Sequence, residues 1–141
     1  MCKFILTIIL SSTLLISCQD QASLKWEETM KVHDVVMLKM QKTGESGMKV
    51  NDLVSRAKLA DSNSILFSKI DTLEKAYHQL ELADEEMMDW MASIQKPQKG
   101  DPQKVTFQYL EKEQQAIIAV GHKMDVAIDH AEMVIKSLEK K

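Results

Sequence analysis

Apolar residues recur at alternating intervals of three and four along three segments of the chain, and this spacing restricts the fold more than any other feature. In the middle segment the repeat comprises Leu73, Ala76, Leu80, Ala83, Met87, Trp90 and Ile94. In the last segment it comprises Ile117, Val120, Met124, Ala127, Ala131, Val134 and Leu138. In the first segment it comprises Trp26, Met30, His33, Met37 and Met40. This period predicts amphipathic helices that bury one side against other helices.

Three short stretches punctuate these segments. "TGESG" at 43–47 is predicted to break the first segment, "ADSNS" at 60–64 supplies helix-capping residues, and "KPQKGDP" at 96–102 forms a turn in which Asp101 caps a helix that starts at Pro102. Because short connections place consecutive helices antiparallel, residues 24–141 are predicted to form an all-α, antiparallel up-down-up three-helix bundle.

The first 17 residues have the pattern of a secretory signal peptide. Lys3 supplies a positive charge, and an apolar run follows from Phe4 to Ile16. This run is shorter than the roughly 20 residues that a membrane-spanning helix needs. We therefore expect a lipoprotein or secretory signal at 1–17 that is removed from the mature protein.

The end of this signal, "LISC", resembles the bacterial lipobox, in which the cysteine is acylated and the chain is cut before it. Cys18 is therefore the predicted lipid attachment point, carrying acyl chains such as palmitate, and residues 18–23 form a lipidated leader. Gln19 after the cysteine resembles the sorting pattern of outer-membrane lipoproteins. We expect a lipid-anchored protein of the cell envelope, on either the periplasmic or the external leaflet.

The charge of the chain argues against nucleic acid as a partner. The formal net charge is −3 at pH 7, and the predicted cleavage removes one charged residue, Lys3, which makes it −4. Arg56 is the one arginine. Domains that bind nucleic acid through their charge are usually basic, and anionic lipid surfaces are disfavoured for the same reason.

Two stretches, "WEETMKVHDVVMLKM" at 26–40 and "LADEEMMDWM" at 82–91, resemble a group of small bacterial lipoproteins labelled "viral A-type inclusion protein". The most specific part of the resemblance is "MMDWM". The resemblance implies an α-helical envelope protein of unknown function and transfers no catalytic residue. The spacing of Met87 and Met91 favours a core role for them, since methionine fills irregular gaps between helices.

One ionisable residue from each predicted helix is expected at a common level of the bundle: His33, Asp84 and Glu113. The simplest interpretation is a structural polar layer. One metal alternative is iron or zinc held by these three side chains. The other is Cu(I) near His33, held by Met30, Met37, Met87 and Met91.

Two further features suggest contacts between helices or molecules. Gly121 falls on the inward side of the third helix, where we expect close approach of a neighbouring helix, with a small apolar cavity as the alternative. Leu24, Val35 and Leu38 point away from His33, on the side of Lys31 and Lys39, and are the candidate contact residues for a partner.

Common catalytic and phosphate-binding motifs are missing from the sequence, so we expect neither an enzyme nor a bound cofactor. The features together predict a lipid-anchored helical envelope protein that acts as an interaction or spacer module. Its partner would be a second copy or another envelope protein. Periplasmic binding of copper, iron or zinc around His33 is the alternative function, and an enzyme with an open metal site ranks third.

Overall fold

The computed structural model describes residues 21–139, and this part of the chain is all-helical. It contains α1 (Gln21–Leu59), α2 (Ile70–Ser93) and α3 (Gln103–Glu139), with a 3₁₀ turn at Phe67–Lys69. Each long helix packs against the other two, which confirms the prediction of a three-helix bundle. The predicted signal peptide and Cys18 lie outside the described residues.

The cores of α2 and α3 follow the predicted repeats. In α2 the buried residues are Leu73, Ala76, Leu80, Ala83, Met87 and Trp90. In α3 they are Leu110, Ile117, Val120, Gly121, Met124, Ala127, Ile128, Ala131 and Val134. All of these residues except Leu110 and Gly121 belong to one core cluster, which also contains Val36, Val50, Val54 and Ala57 of α1.

The buried side of α1 differs from the predicted one. A buried row of residues recurs every seven positions along α1. It comprises Ala22, Thr29, Val36, Thr43, Val50 and Ala57. The predicted residues Trp26, Met30, His33, Met37 and Met40 are half-buried beside this row. This row contains small and polar residues, so the spacing of large apolar side chains does not reveal it. Residues seven apart nevertheless lie within about 20° of each other on a helix.

The predicted break at "TGESG" is wrong, because α1 continues without interruption through 43–47. Ser46 and Gly47 are buried within the helix. Thr43 donates a hydrogen bond from Oγ1 to the Met40 carbonyl at 2.9 Å, which keeps its hydroxyl satisfied in the helical conformation. Packing on both sides of the stretch therefore outweighs the helix-breaking tendency of glycine.

The turn before α3 also differs in detail. Asp101 Oδ2 accepts a hydrogen bond from the Gln98 backbone N–H at 2.7 Å, so this carboxylate closes the turn instead of capping α3. The Pro102 carbonyl accepts the first helical bonds, from the N–H groups of Val105 and Thr106. Gly100 adopts φ = 102°, a conformation that glycine reaches without the steric cost of a side chain.

Among residues 21–139, no helix is both long enough and apolar enough to cross a membrane. Every buried side-chain nitrogen or oxygen in the same range has a hydrogen-bond partner. The polar residues of the interior are therefore accommodated within the bundle.

Candidate functional site

His33 packs on the indole ring of Trp90, and this pair joins α1 to α2. The ring centroids are 5.8 Å apart and the ring planes are inclined by 27°. Trp90 is buried, whereas His33 is half-buried. His33 Nδ1 lies 3.0 Å from Oδ1 of Asp34, an exposed residue of the same helix. The stacking fixes the orientation of the imidazole and gives His33 a packing role at this junction.

Glu113 contributes its backbone carbonyl to the same junction. Trp90 Nε1 donates a hydrogen bond to the Glu113 carbonyl oxygen at 3.2 Å. This bond satisfies the polar end of a buried indole, which would otherwise be costly to remove from water. Trp90 therefore links all three helices, by ring contact to α1 and by hydrogen bond to α3.

Asp84 lies at a different level of the bundle. Its Oδ1 lies 2.5 Å from Thr43 Oγ1, within hydrogen-bonding distance. Thr43 follows His33 by ten residues in α1, a distance of about 15 Å along the helix. Within residues 21–139, no three His, Cys, Asp or Glu side chains are placed to hold one metal ion. The predicted layer of His33, Asp84 and Glu113 does not form.

The predicted layer does not form because the end of α2 is not level with the start of α3. The Gln95 backbone N–H donates to the Tyr109 hydroxyl at 2.8 Å, so the chain that follows α2 runs beside the second turn of α3. The predicted layer requires the end of α2 to lie level with the start of α3, which would bring Asp84 beside Glu113. The observed pairing is shifted: Lys123 Nζ donates to both carboxylate oxygens of Glu86, each at 2.6 Å.

The candidate methionines belong to the core or pack against it. Met87 is fully buried, which confirms the core role expected of it. Met30, Met37 and Met91 are half-buried and pack against the same cluster. A copper site at these four residues stays a prediction.

Thr43 and Asp84 form a polar contact that the sequence pattern did not reveal. Thr43 is buried, and burial raises the pKa of Asp84, while the hydrogen bond from Thr43 acts in the opposite direction. The Thr43 hydroxyl also lies within bonding distance of the Met40 carbonyl. One hydroxyl hydrogen cannot serve both acceptors, whereas a protonated Asp84 can donate to Thr43 while Thr43 donates to Met40.

This contact borders a groove of about 190 Å³ between α1 and α2. Gly44 and Gly47 line the groove on the α1 side, and Tyr77 and Glu81 line it on the α2 side. A hydrogen bond to Glu81, together with the negative charge of that residue, raises the pKa of Tyr77. The groove is small and carries no positively charged lining residue.

Gly121 lies where α3 packs closely against α1. A Cβ atom at this position would lie 2.9 Å from Val36 Cγ2, closer than side chains pack. Lys39 Nζ donates to the Gly121 carbonyl at 3.1 Å and to Asp125 Oδ2 at 2.6 Å. The expectation of a close helix approach is confirmed. Lys39 was expected on the outer side of α1 and instead reaches α3.

The three candidate contact residues of α1 are all exposed. Leu24, Val35 and Leu38 expose 38%, 61% and 70% of their surface. Met48 and Leu59 add two exposed apolar side chains on the same side of the helix.

We define the outer face of α1 as three rows of residues: the central row, which lies opposite the buried row, and the two rows that flank it. The central row comprises Leu24, Lys31, Leu38, Glu45, Asp52 and Leu59. The flanking rows comprise Glu27, Glu28, Asp34, Val35, Gln41, Lys42, Lys49, Met48, Ser55 and Arg56.

A second surface lies between α2 and α3, where a mainly apolar groove has a volume of about 340 Å³. Leu82 and Val126 are its exposed apolar residues, and the ion pair between Glu86 and Lys123 crosses it. This pair and His122 supply the charged and polar part of its lining.

Comparison with protein-family models, with curated proteins and with solved structures finds no match to this chain.

Proposed function

We propose that this protein is a lipid-anchored helical module of the cell envelope that binds a protein partner through the outer face of α1. The observation that carries the proposal is the exposure of five large apolar residues on that one face. The anchor is proposed from "LISC" and Cys18, with the outer membrane as destination from Gln19. The resemblance to small envelope lipoproteins of unknown function agrees with this assignment.

We propose that the three helices run up-down-up. Contacts between α1 and α3 advance together along both helices, from Lys25 with Gln114 to Lys39 with Gly121. Contacts between α1 and α2 run in opposite senses, from Thr43 with Asp84 to Lys58 with Glu74. This arrangement supports a rigid spacer, because every helix contributes to one continuous core.

Metal binding around His33 has less support. His33 is held against Trp90, and among the described residues no third carboxylate, histidine or cysteine completes a ligand set. An interaction module needs only the exposed face that α1 provides.

The anchor is tested with the full chain by Cys18→Ser. We expect this change to abolish incorporation of a labelled fatty acid and to move the protein from the membrane fraction to the soluble fraction. Acylation and membrane attachment that persist in the variant would exclude this anchor.

The contact face is tested in the native envelope with a photo-crosslinking amino acid at Leu38. The matched control places the same amino acid at Met133, which is similarly exposed, but on α3. We expect discrete protein adducts from Leu38, and their loss when Val35→Lys is added. Equal adduct patterns from both positions would contradict a contact face on α1.

A further inference from the structure

The outer face of α1 is exposed over the whole length of the helix. Every residue of its three rows is exposed. The 39 residues of α1 span about 58 Å, so this face is a long strip and not an isolated patch. A partner that matches it must therefore present an extended surface of similar length, such as another helix.

Charges are distributed unequally along this strip. The N-terminal part carries Glu27, Glu28 and Asp34 against one positive residue, Lys31. The C-terminal part carries Lys42, Lys49 and Arg56 against Glu45 and Asp52. The two ends are thus electrostatically complementary to each other. A second α1 that runs in the opposite direction would meet opposite charge at both ends.

A parallel pair in register would be unfavourable. Each residue of the central row would then face its own copy, so that Lys31, Glu45 and Asp52 would each meet a like charge. Like charges in direct opposition disfavour association. An antiparallel pair avoids all three oppositions.

One antiparallel register matches the strip closely. When Leu38 faces Leu38 of a second copy at the two-fold axis, Lys31 faces Glu45 twice, once on each side of the axis. In the same register Glu28 faces Lys49, and Val35 lies beside the central leucine. Leu38 and Val35 lie near the axis and the charge pairs flank them, as expected of a self-complementary interface.

We infer that the partner of this face is a second copy of the chain, bound antiparallel through α1 with Leu38 at the two-fold axis. This inference rests on the proposed function and names the partner of the same face. The proposed acyl chain on Cys18 precedes α1 by only a few residues. Both anchors of the pair reach one bilayer only when the helix axes lie along its surface.

The test is oxidative crosslinking of the full chain in native membranes, with single cysteines and differently tagged copies. The chain without an added cysteine sets the background from Cys2 and Cys18. Leu38→Cys should give a disulfide-linked dimer. Lys31→Cys alone and Glu45→Cys alone should give none, because the identical positions lie about 21 Å apart along the pair. Coexpression of these two variants should give the mixed dimer.

Charge reversal supplies an independent readout in the Leu38→Cys background. Lys31→Glu should lower the dimer yield about tenfold, because two attractive pairs become repulsive. Glu45→Lys should do the same, and the combination of both changes should restore the yield. A helix that failed to fold would not be rescued by a second reversal.

The outcomes separate this inference from the proposed function. Dimers from both Leu38→Cys and Lys31→Cys alone would show parallel pairing and overturn the antiparallel arrangement. If Leu38→Cys gives no dimer while the photo-crosslinker at Leu38 gives adducts to another protein, the partner is not a second copy. The proposal of an interaction module would then still hold. If the full crosslinking pattern appears but the protein is neither acylated nor attached to the membrane, the antiparallel dimer would be supported and the lipid anchor at Cys18 would be excluded.

Discussion

Glycine at position 121 is required by the distance between two helices. Val36 occupies the space that a methyl group would need. Alanine has a higher helix propensity than glycine by about 1 kcal/mol, but overpacking costs about 1–3 kcal/mol. The steric effect should therefore prevail at this position.

We predict that Gly121→Ala lowers the free energy of unfolding by about 1–2 kcal/mol. Chemical denaturation followed by circular dichroism measures this change. Val36→Ala removes the obstructing methyl groups, so the double variant should lose less stability than the two single changes predict together. Strict additivity would show that Val36 is not the obstacle.

Asp84 is the residue whose protonation should couple to folding. Its pKa is raised in the folded protein, chiefly by burial. Such a carboxyl group stabilises the fold below its unfolded pKa, and this contribution is lost as the pH rises through the folded pKa. The contact with Thr43 acts in the opposite direction and offsets part of this effect.

We predict that Asp84→Asn becomes increasingly stable relative to the unchanged protein as the pH rises from acid to neutral. An asparagine amide can donate to Thr43 at every pH and carries no charge to bury. Urea denaturation over this pH range measures the difference in free energy of unfolding. Asp89→Asn, which removes an exposed carboxylate from the same helix, is the matched control. A constant difference for Asp84→Asn would contradict the coupling.

At the scale of elements, α1 is notable because it stays helical across two glycines. Nothing lies within 4 Å of a Cβ added at Gly44, and at Gly47 the nearest atom is Tyr77 Cε2 at 3.9 Å. Neither glycine is therefore required by crowding. Their presence lowers the stability of the helix, and the flanking core residues Val36 and Val50 offset this cost.

Gly44→Ala should accordingly stabilise the protein by about 0.5–1 kcal/mol. Thermal unfolding followed by circular dichroism reports the gain as a higher Tm. Gly100→Ala is the contrasting variant, and it should lower the Tm because φ is 102° at that position. A loss of stability in Gly44→Ala would indicate that α1 does not remain helical through this stretch.

At the scale of the whole molecule, Met87 shows how one core depends on three helices. It is fully buried, whereas its neighbour Met88 exposes 54% of its surface. The core cluster that contains Met87 includes residues of all three helices. Because isolated helices of this kind are marginal in water, loss of the Met87 side chain should destabilise all three helices together.

We predict that Met87→Ala costs about 2–5 kcal/mol. Met88→Ala should change stability by no more than about 0.5 kcal/mol. Circular dichroism and tryptophan fluorescence should give coincident unfolding curves in both variants, since Trp90 lies in the same core. Separate transitions would show that the helices do not unfold together.

Apolar periodicity was enough to predict the helical class and the buried sides of α2 and α3. Their large apolar residues recur at intervals that place them on one side of a helix, and this relation is local to each helix. The same reasoning identified Met87 as core and Gly121 as a contact between helices. It failed for α1, where the buried row contains Ala22, Thr29 and Thr43.

The alignment of the helices along their axes, in contrast, follows from tertiary contacts. Periodicity specifies the direction of each side chain around a helix but not its level relative to another helix. That level depends on the length of the connections and on contacts such as Trp90 with Glu113 and Lys39 with Gly121. For this reason Asp84 lies beside Thr43 and apart from His33, and the spacing of apolar residues did not specify this pairing.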